Sequence, residues 1–184
     1  AKYHTIYNPI FFKDYCYEKC EKKYITAINI QWKHKNVDTI INAYAQVAST
    51  TDLNLVLVGK LPKNIEELKA IVKDNNLENR VFFTGFVSDE QMATIIQKTR
   101  IYVNASYFEG FGMTSIEMMG SGIPTIVANN TAQKEVTMGL CRYYEPTNDK
   151  FKLAEQIIDE IKKPKSETEL FEIAETIKQR YSYE

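Results

Sequence analysis

Two kinds of apolar run alternate along the chain. "YITAINI" (24–30) is nearly continuous in apolar and β-branched residues, as a buried strand should be, and polar "QWKHKN" follows as its exit loop. Val37, Ile40, Ile41, Tyr44 and Ala48 then recur at the spacing of one helical face, while Asp38, Asn42 and Gln46 face away. The two patterns return as a second strand, "NLVLVG" (54–59), and a second amphipathic helix carrying Ile65, Leu68, Ile71 and Val72. "RVFFTGFV" (80–87) supplies a third strand and its exit loop, after which Ser88 and Gln91 make a capping box for a helix through Lys98. "IYVNA" (101–105) is a fourth strand, and a helix runs from about Met113 to Met119, stopped by Gly120 and Gly122. "PTIVA" (124–128) is a fifth strand and "RYYE" (142–145) a short sixth.

The connections are too long for hairpins, so the pattern predicts an α/β fold: a Rossmann-like, doubly wound parallel sheet of about six strands. From Phe151 the chain becomes highly charged, with one helix to about Ile161 and a break at Pro164. Ser166 and Glu169 then form a second capping box, opening a helix through Arg180 whose apolar face (Leu170, Ile173, Ala174, Ile177) needs a partner.

Composition narrows the function classes. With 184 residues, 44% hydrophobic and 26% charged, the chain is a globular unit large enough for a substantial core. A net charge of −1 gives no global attraction for nucleic acid, so any phosphate has to be met by a local set of donors. The three cysteines (Cys16, Cys20, Cys141) show no zinc spacing and suggest a reducing cytoplasm, and neither His4 nor His34 stands near a second soft ligand. No protein-held metal is therefore expected. No apolar run approaches the roughly 20 residues that span a bilayer.

The chemistry concentrates in "SYFEGFGMTSIEMMGSGIPTIVA" (106–128), where Glu109 and Glu117 stand on either side of a glycine turn and a helix start. In doubly wound sheets ligands sit beyond the carboxyl ends of the strands, where loops run into helices. Gly110 and Gly112 let a ligand approach the backbone, and the N–H groups of Gly112, Met113 and Thr114 form an anion site favoured by the helix dipole. Glu117, about one turn into the helix, can accept hydrogen bonds from a vicinal diol such as a ribose, while Glu109 can reach hydroxyls on the far side of the anion. The set suits a ligand with sugar, phosphate and sugar in series. On spacing alone a second reading stands beside it: Glu117 as a solvated helix residue and Glu109 as a charge at a helix N-terminus.

With its surroundings the segment resembles the C-terminal, donor-binding domain of retaining GT-B glycosyltransferases, specifically glycosyltransferase family four. Its E-G-F-G-x-x-x-x-E element is matched by "EGFGMTSIE" and the small-residue, glycine and proline run by "MMGSGIPTIVA". "VFFTGFVSDEQMATIIQKTRIYVNASYFE" resembles the family's approach to the first glutamate, "LVLVGK" its second strand, "IYNPI" its interdomain linker and "YSYE" its closing aromatic segment. The resemblance implies one half of a GT-B fold: residues 1–23 as interdomain linker and start of the domain, 24–163 as the Rossmann-like nucleotide-sugar-binding unit, and 164–184 as a helix packing toward an N-terminal domain missing from this sequence.

The resemblance further implies that a nucleoside-diphosphate sugar is the donor substrate, with no cofactor and no metal required. Glu109 and Lys35 then carry the catalytic roles. Gly110, Phe111, Gly112, Met113, Thr114 and Glu117 bind the donor, with Asn29, Gly85 and Val87 at the diphosphate and base. Asn29 stands where the family usually has arginine, replacing a charged bidentate fork by a neutral donor, with Lys33 as a substitute cation. Thr114 stands where many members have proline.

Apart from the resemblance, "WKHK" reads as a solvated basic turn that includes His34, Trp32 as a loop anchor or a stacking platform, Tyr107 and Phe108 as pocket wall or loop packing, and Glu135 as an exposed helix charge. The acceptor, a glycan or glycolipid, would bind through the N-terminal domain. Bacterial envelope polysaccharide assembly would place the enzyme in the cytoplasm, with room for peripheral contact at the inner face of the membrane. The chain alone is expected to bind donor and to transfer little or nothing. The alternatives from other classes are a non-catalytic nucleotide- or phosphate-binding or interaction module, and part of a nucleotide-sugar epimerase.

Overall fold

The computed structural model describes Ile10, Phe12 and residues 20–182. The linker motif "IYNPI" therefore lies outside the described residues except for Ile10, as do Cys16 and the last two residues of "YSYE". Six strands form one sheet: β1 (Tyr24–Ile28), β2 (Asn54–Val58), β3 (Val81–Phe83), β4 (Thr99–Asn104), β5 (Thr125–Ala128) and β6 (Arg142–Tyr144). Every neighbouring pair is parallel, in the order β3-β2-β1-β4-β5-β6. This is the doubly wound order, and its direction reverses between β1 and β4, which opens a crevice at their carboxyl ends.

The strands read as unbroken apolar runs because both of their faces are covered. Ile25, Ala27, Leu55, Leu57, Ile101 and Val103 point to one side, where they pack under α1 (Val37–Val47), α2 (Ile65–Asp74) and α6 (Lys150–Lys162). Ile28, Val56, Val58 and Tyr102 point to the other, beneath α3 (Asp89–Gln97) and α4 (Met113–Gly120). Alternate residues of a strand face opposite ways, so each strand serves both cores.

Two capping boxes form as the sequence predicts: Ser88 and Gln91 open α3, and Ser166 and Glu169 open α7 (Glu167–Tyr181). The apolar face of α7 finds its partner within this chain. Ala174, Ile177 and Tyr181 are buried, and Ile177 and Tyr181 pack with Ile116 and Met119 of α4 and Val136 of the short α5 (Gln133–Val136). The Tyr181 hydroxyl donates to the Val136 carbonyl at 2.8 Å, and the Ile10 N–H donates to the Tyr181 carbonyl at 2.7 Å, which ties both ends of the described chain to the same layer.

On the opposite side, Glu160 is 1% exposed and accepts from Arg142 Nε at 2.6 Å, so α6 is locked to β6. Several boundaries differ from expectation by a residue or two, and three have a visible cause or consequence. β1 ends at Ile28 instead of residue 30, since Asn29 turns left-handed at φ 65°. β4 begins at Thr99, whose hydroxyl lies 2.9 Å from that of Thr26 in the buried layer. α4 includes Gly120, and the left-handed stop is Gly122 at φ 68°.

Candidate functional site

The loops after β1 and β4 meet across the switch point, and Glu109 is where they join. Its Oε1 accepts from Lys35 Nζ at 2.5 Å, from Ser106 Oγ at 2.7 Å and from Asn104 Nδ2 at 3.3 Å. Lys35 and Glu109 side chains are only 14% and 11% exposed. Burial pushes the Glu109 carboxyl up, but hydrogen bonds from Lys35 and Ser106, the Lys35 charge and the Asn104 amide outweigh it, and the group is held below the usual carboxylate range. Glu109 is thus a fixed carboxylate at neutral pH. Two further contacts bind the loops: Tyr107 N–H donates to the His34 carbonyl at 2.8 Å, and the Phe108 ring stacks on His34 with centroids 4.7 Å apart.

Helix α4 starts from Gly112 in the left-handed region (φ 78°) with no side chain capping it. The Ser115 and Ile116 N–H groups turn back to the Gly112 carbonyl, whereas among the described residues none of the backbone bonds outside helices and strands uses the N–H of Met113 or Thr114. Met113 is 52% exposed, so this end of the helix reaches solvent with its positive dipole end uncapped.

Beside it, Thr114 and Glu117 line a cavity of about 230 Å³, with Asn29, Ile28, Asp89 and Met92 opposite. Whole small-molecule sites run to roughly 300–1,000 Å³, so this cavity has the size of part of such a site. Asn29 Nδ2 lies 3.4 Å from Thr114 Oγ1, at the outer limit of a hydrogen bond, linking the end of β1 to the start of α4. Both carboxylates bear on one buried group. Burial drives the Tyr102 phenol up, Glu109 adds to the push, Ser115 opposes it, and Glu117 adds again. The two acids therefore both lie close enough to the end of β4 to act on the same phenol.

Of the residues singled out from sequence, Asn29, Thr114 and Glu117 share the cavity, Glu109 and Lys35 pair next to it, and Gly112 and Met113 form the helix start. Gly110 is exposed in the turn between them. Phe111 turns its ring to Tyr181, edge-on at 5.7 Å. Gly85 (φ 69°) and Val87 do not line this cavity; Val87 packs against the core beneath α3. Trp32 is 58% exposed, so it is no buried anchor.

Sequence reading missed the residues that hold the loops in place. Asn36, left-handed and buried, donates from Nδ2 to the carbonyls of Ala105 at 3.1 Å and Thr147 at 3.0 Å. Asn104, 5% exposed, bridges Glu109 to Ser115 Oγ at 3.0 Å, and its Oδ1 accepts from Ser106. The Thr131 hydroxyl accepts from the Glu109 N–H at 3.1 Å. One signal was available: Asn104 is a polar residue in an apolar strand, and buried amides need partners. Among the described residues, no group of three or more His, Cys, Asp or Glu side chains could hold a metal ion, and no helix is long and apolar enough to cross a membrane.

A family model described as "Glycosyl transferases group 1" matches residues 18–176. The chain belongs to the group 1 glycosyl transferases. It is 29% identical over 149 residues to an O-antigen chain mannosyltransferase of Salmonella typhimurium, covering 81% of this chain and 42% of that protein. It is 34% identical over 115 residues to mannosylfructose-phosphate synthase of Agrobacterium fabrum, covering 58% and 25%. The chain thus spans less than half the length of either relative.

Among solved structures, the C-terminal domain of a group 1 glycosyl transferase of Francisella tularensis superposes with a TM-score of 0.72 at 22% identity, covering 90% of each chain. An Anabaena protein solved with UDP and glucose gives a TM-score of 0.74 at 22% identity, over 88% of this chain and 45% of that one. These likenesses agree on the fold, one Rossmann-like unit.

Proposed function

We propose that this chain is the nucleotide-sugar-binding half of a retaining glycosyltransferase that moves a sugar from a nucleoside-diphosphate donor to a glycan or glycolipid acceptor in polysaccharide biosynthesis. One observation carries the reading: the uncapped start of α4 opens at the sheet's switch point between the Lys35–Glu109 pair and the Glu117 carboxylate. In this reading the diphosphate lies on the Met113 and Thr114 amides, Glu117 accepts from the ribose hydroxyls, and Glu109 accepts from hydroxyls of the transferred sugar. Two relatives named as O-antigen mannosyltransferases and the Anabaena neighbour solved with UDP support it.

Departure of the nucleoside diphosphate leaves negative charge on phosphate. The chain meets that charge with N–H dipoles preorganised at a helix end and with Lys35, which has three donors and can serve Glu109 and a phosphate oxygen together. Asn29 and Thr114 add neutral donors. Because Glu109 offsets the Lys35 charge, the helix end carries a larger share of anion stabilisation than it would beside an arginine. The acceptor and the residues facing it belong to a second domain, in a cytoplasmic enzyme able to work at the membrane's inner face.

A thermal-shift series with UDP, GDP, ADP and their sugars tests donor binding. Ligand at about a hundred times its Kd adds about 2.7 kcal/mol, or roughly 5–10 °C for a chain of this size. One base class is expected to give such a shift; no shift with any of the three would remove the reading.

A further inference from the structure

Gln133 opens α5 and is 1% exposed. Its backbone is fully used: the N–H donates to the Asn130 carbonyl at 3.1 Å, and the carbonyl accepts from the Thr137 N–H at 3.0 Å and the Thr137 hydroxyl at 2.6 Å. Its carboxamide is not. Among the described residues, neither Nε2 nor Oε1 has a hydrogen-bond partner. A buried primary amide with nothing bound is unfavourable, and methionine or leucine would fill the same space without that cost.

Its position points to a use. The atoms nearest to where a side chain on Gly112 would sit are the Nε2, Cδ and Oε1 of Gln133, with Nε2 the closest. Gly112 begins α4, an eight-residue helix with no side-chain cap. The carboxamide therefore occupies the side-chain space of the residue that starts the candidate anion site. It is held there from both directions. Thr131 hydrogen-bonds the Glu109 N–H at 3.1 Å, and Val136 packs with Ile116, so α5 cannot drift from α4. Nothing lies within 4 Å of a side chain added at Gly110, so the turn that precedes Gly112 is itself open.

We propose that Gln133 is a ligand-binding residue whose Nε2–H donates to the phosphate group held at the start of α4. The assignment rests on the donor-binding reading above. It gives the site a neutral donor from α5, and it explains why the residue starting the helix has no side chain: any Cβ at Gly112 would displace the carboxamide.

The test is Gln133→Met in the full chain, titrated with a nucleoside diphosphate, inorganic pyrophosphate and the matching nucleoside. The free protein should melt higher by about 2–4 °C, since an unpaired buried amide is gone. Affinity for the diphosphate and for pyrophosphate should fall about tenfold, the size of one hydrogen bond to a charged group, with nucleoside affinity unchanged. In the wild type, the Gln133 side-chain NH₂ resonances should move on addition of pyrophosphate, a readout that does not depend on the variant folding. Wild-type phosphate binding that Gln133→Met leaves intact, or NH₂ resonances that stay still while phosphate binds, would overturn this assignment alone. Failure of the wild type to bind either phosphate would overturn the donor-binding reading and this assignment with it.

Discussion

Glu117→Ala should lose about tenfold to a hundredfold in affinity for a nucleoside diphosphate while binding inorganic pyrophosphate as the wild type does. Glu117 is half-buried on the cavity wall, one turn beyond the uncapped amides of α4. Its distance along the helix suits a ribose diol, and a hydrogen bond to a charged acceptor contributes about 1.5–3 kcal/mol. Pyrophosphate has no ribose, so it should not register the loss. Alanine favours helix, so the fold should tolerate the change. Isothermal titration of both ligands checks this: equal losses would place Glu117 at the phosphate, and no loss for either would take it out of the site.

Lys35→Met should cost about 2 kcal/mol of stability at neutral pH, and the deficit should vanish in acid. Among the described residues, the variant leaves the Glu109 carboxylate, 11% exposed, with only the Ser106 and Asn104 hydrogen bonds. Breaking a fully buried pair costs about 3–5 kcal/mol; these remaining partners and the slight exposure reduce that. The sign follows from the carboxyl. In the wild type its folded pKa lies below its unfolded value of about 4.3, so its contribution is complete above about pH 5 and is lost as pH falls through the folded value. In the variant, burial dominates and raises the folded pKa, so the strain is relieved as the acid protonates. Denaturant melts from pH 7 to pH 3 should show the two proteins converging. A constant offset would mean that Lys35 acts through packing.

The fold was legible in the sequence because its signals are redundant. Apolar strands such as "NLVLV" alternating with amphipathic helices call for a parallel sheet covered on both faces, and the two capping boxes fix the starts of α3 and α7 to the residue. The strand order could not be read, because β1 neighbours β4 through contacts 73 to 76 residues apart that leave no local pattern.

The site was legible where function requires a local motif. Gly112, Thr114 and Glu117 lie within one turn and helix, so their geometry follows from spacing. Its supports were not legible. Asn36 reaches Thr147 across 111 residues, and Thr131 reaches Glu109 across 22. The seat of α7 on α4 was similarly hidden: an amphipathic pattern shows that a face must be covered, but not what covers it.

The backbone amides of Met113 and Thr114 give the most direct test of the account. In a two-dimensional ¹H–¹⁵N spectrum titrated with the nucleoside diphosphate that stabilises the protein best, those two amides should show the largest downfield proton shifts, as expected when an N–H begins to donate to an anion. Saturable binding that moves resonances elsewhere and leaves Met113 and Thr114 in place would contradict it.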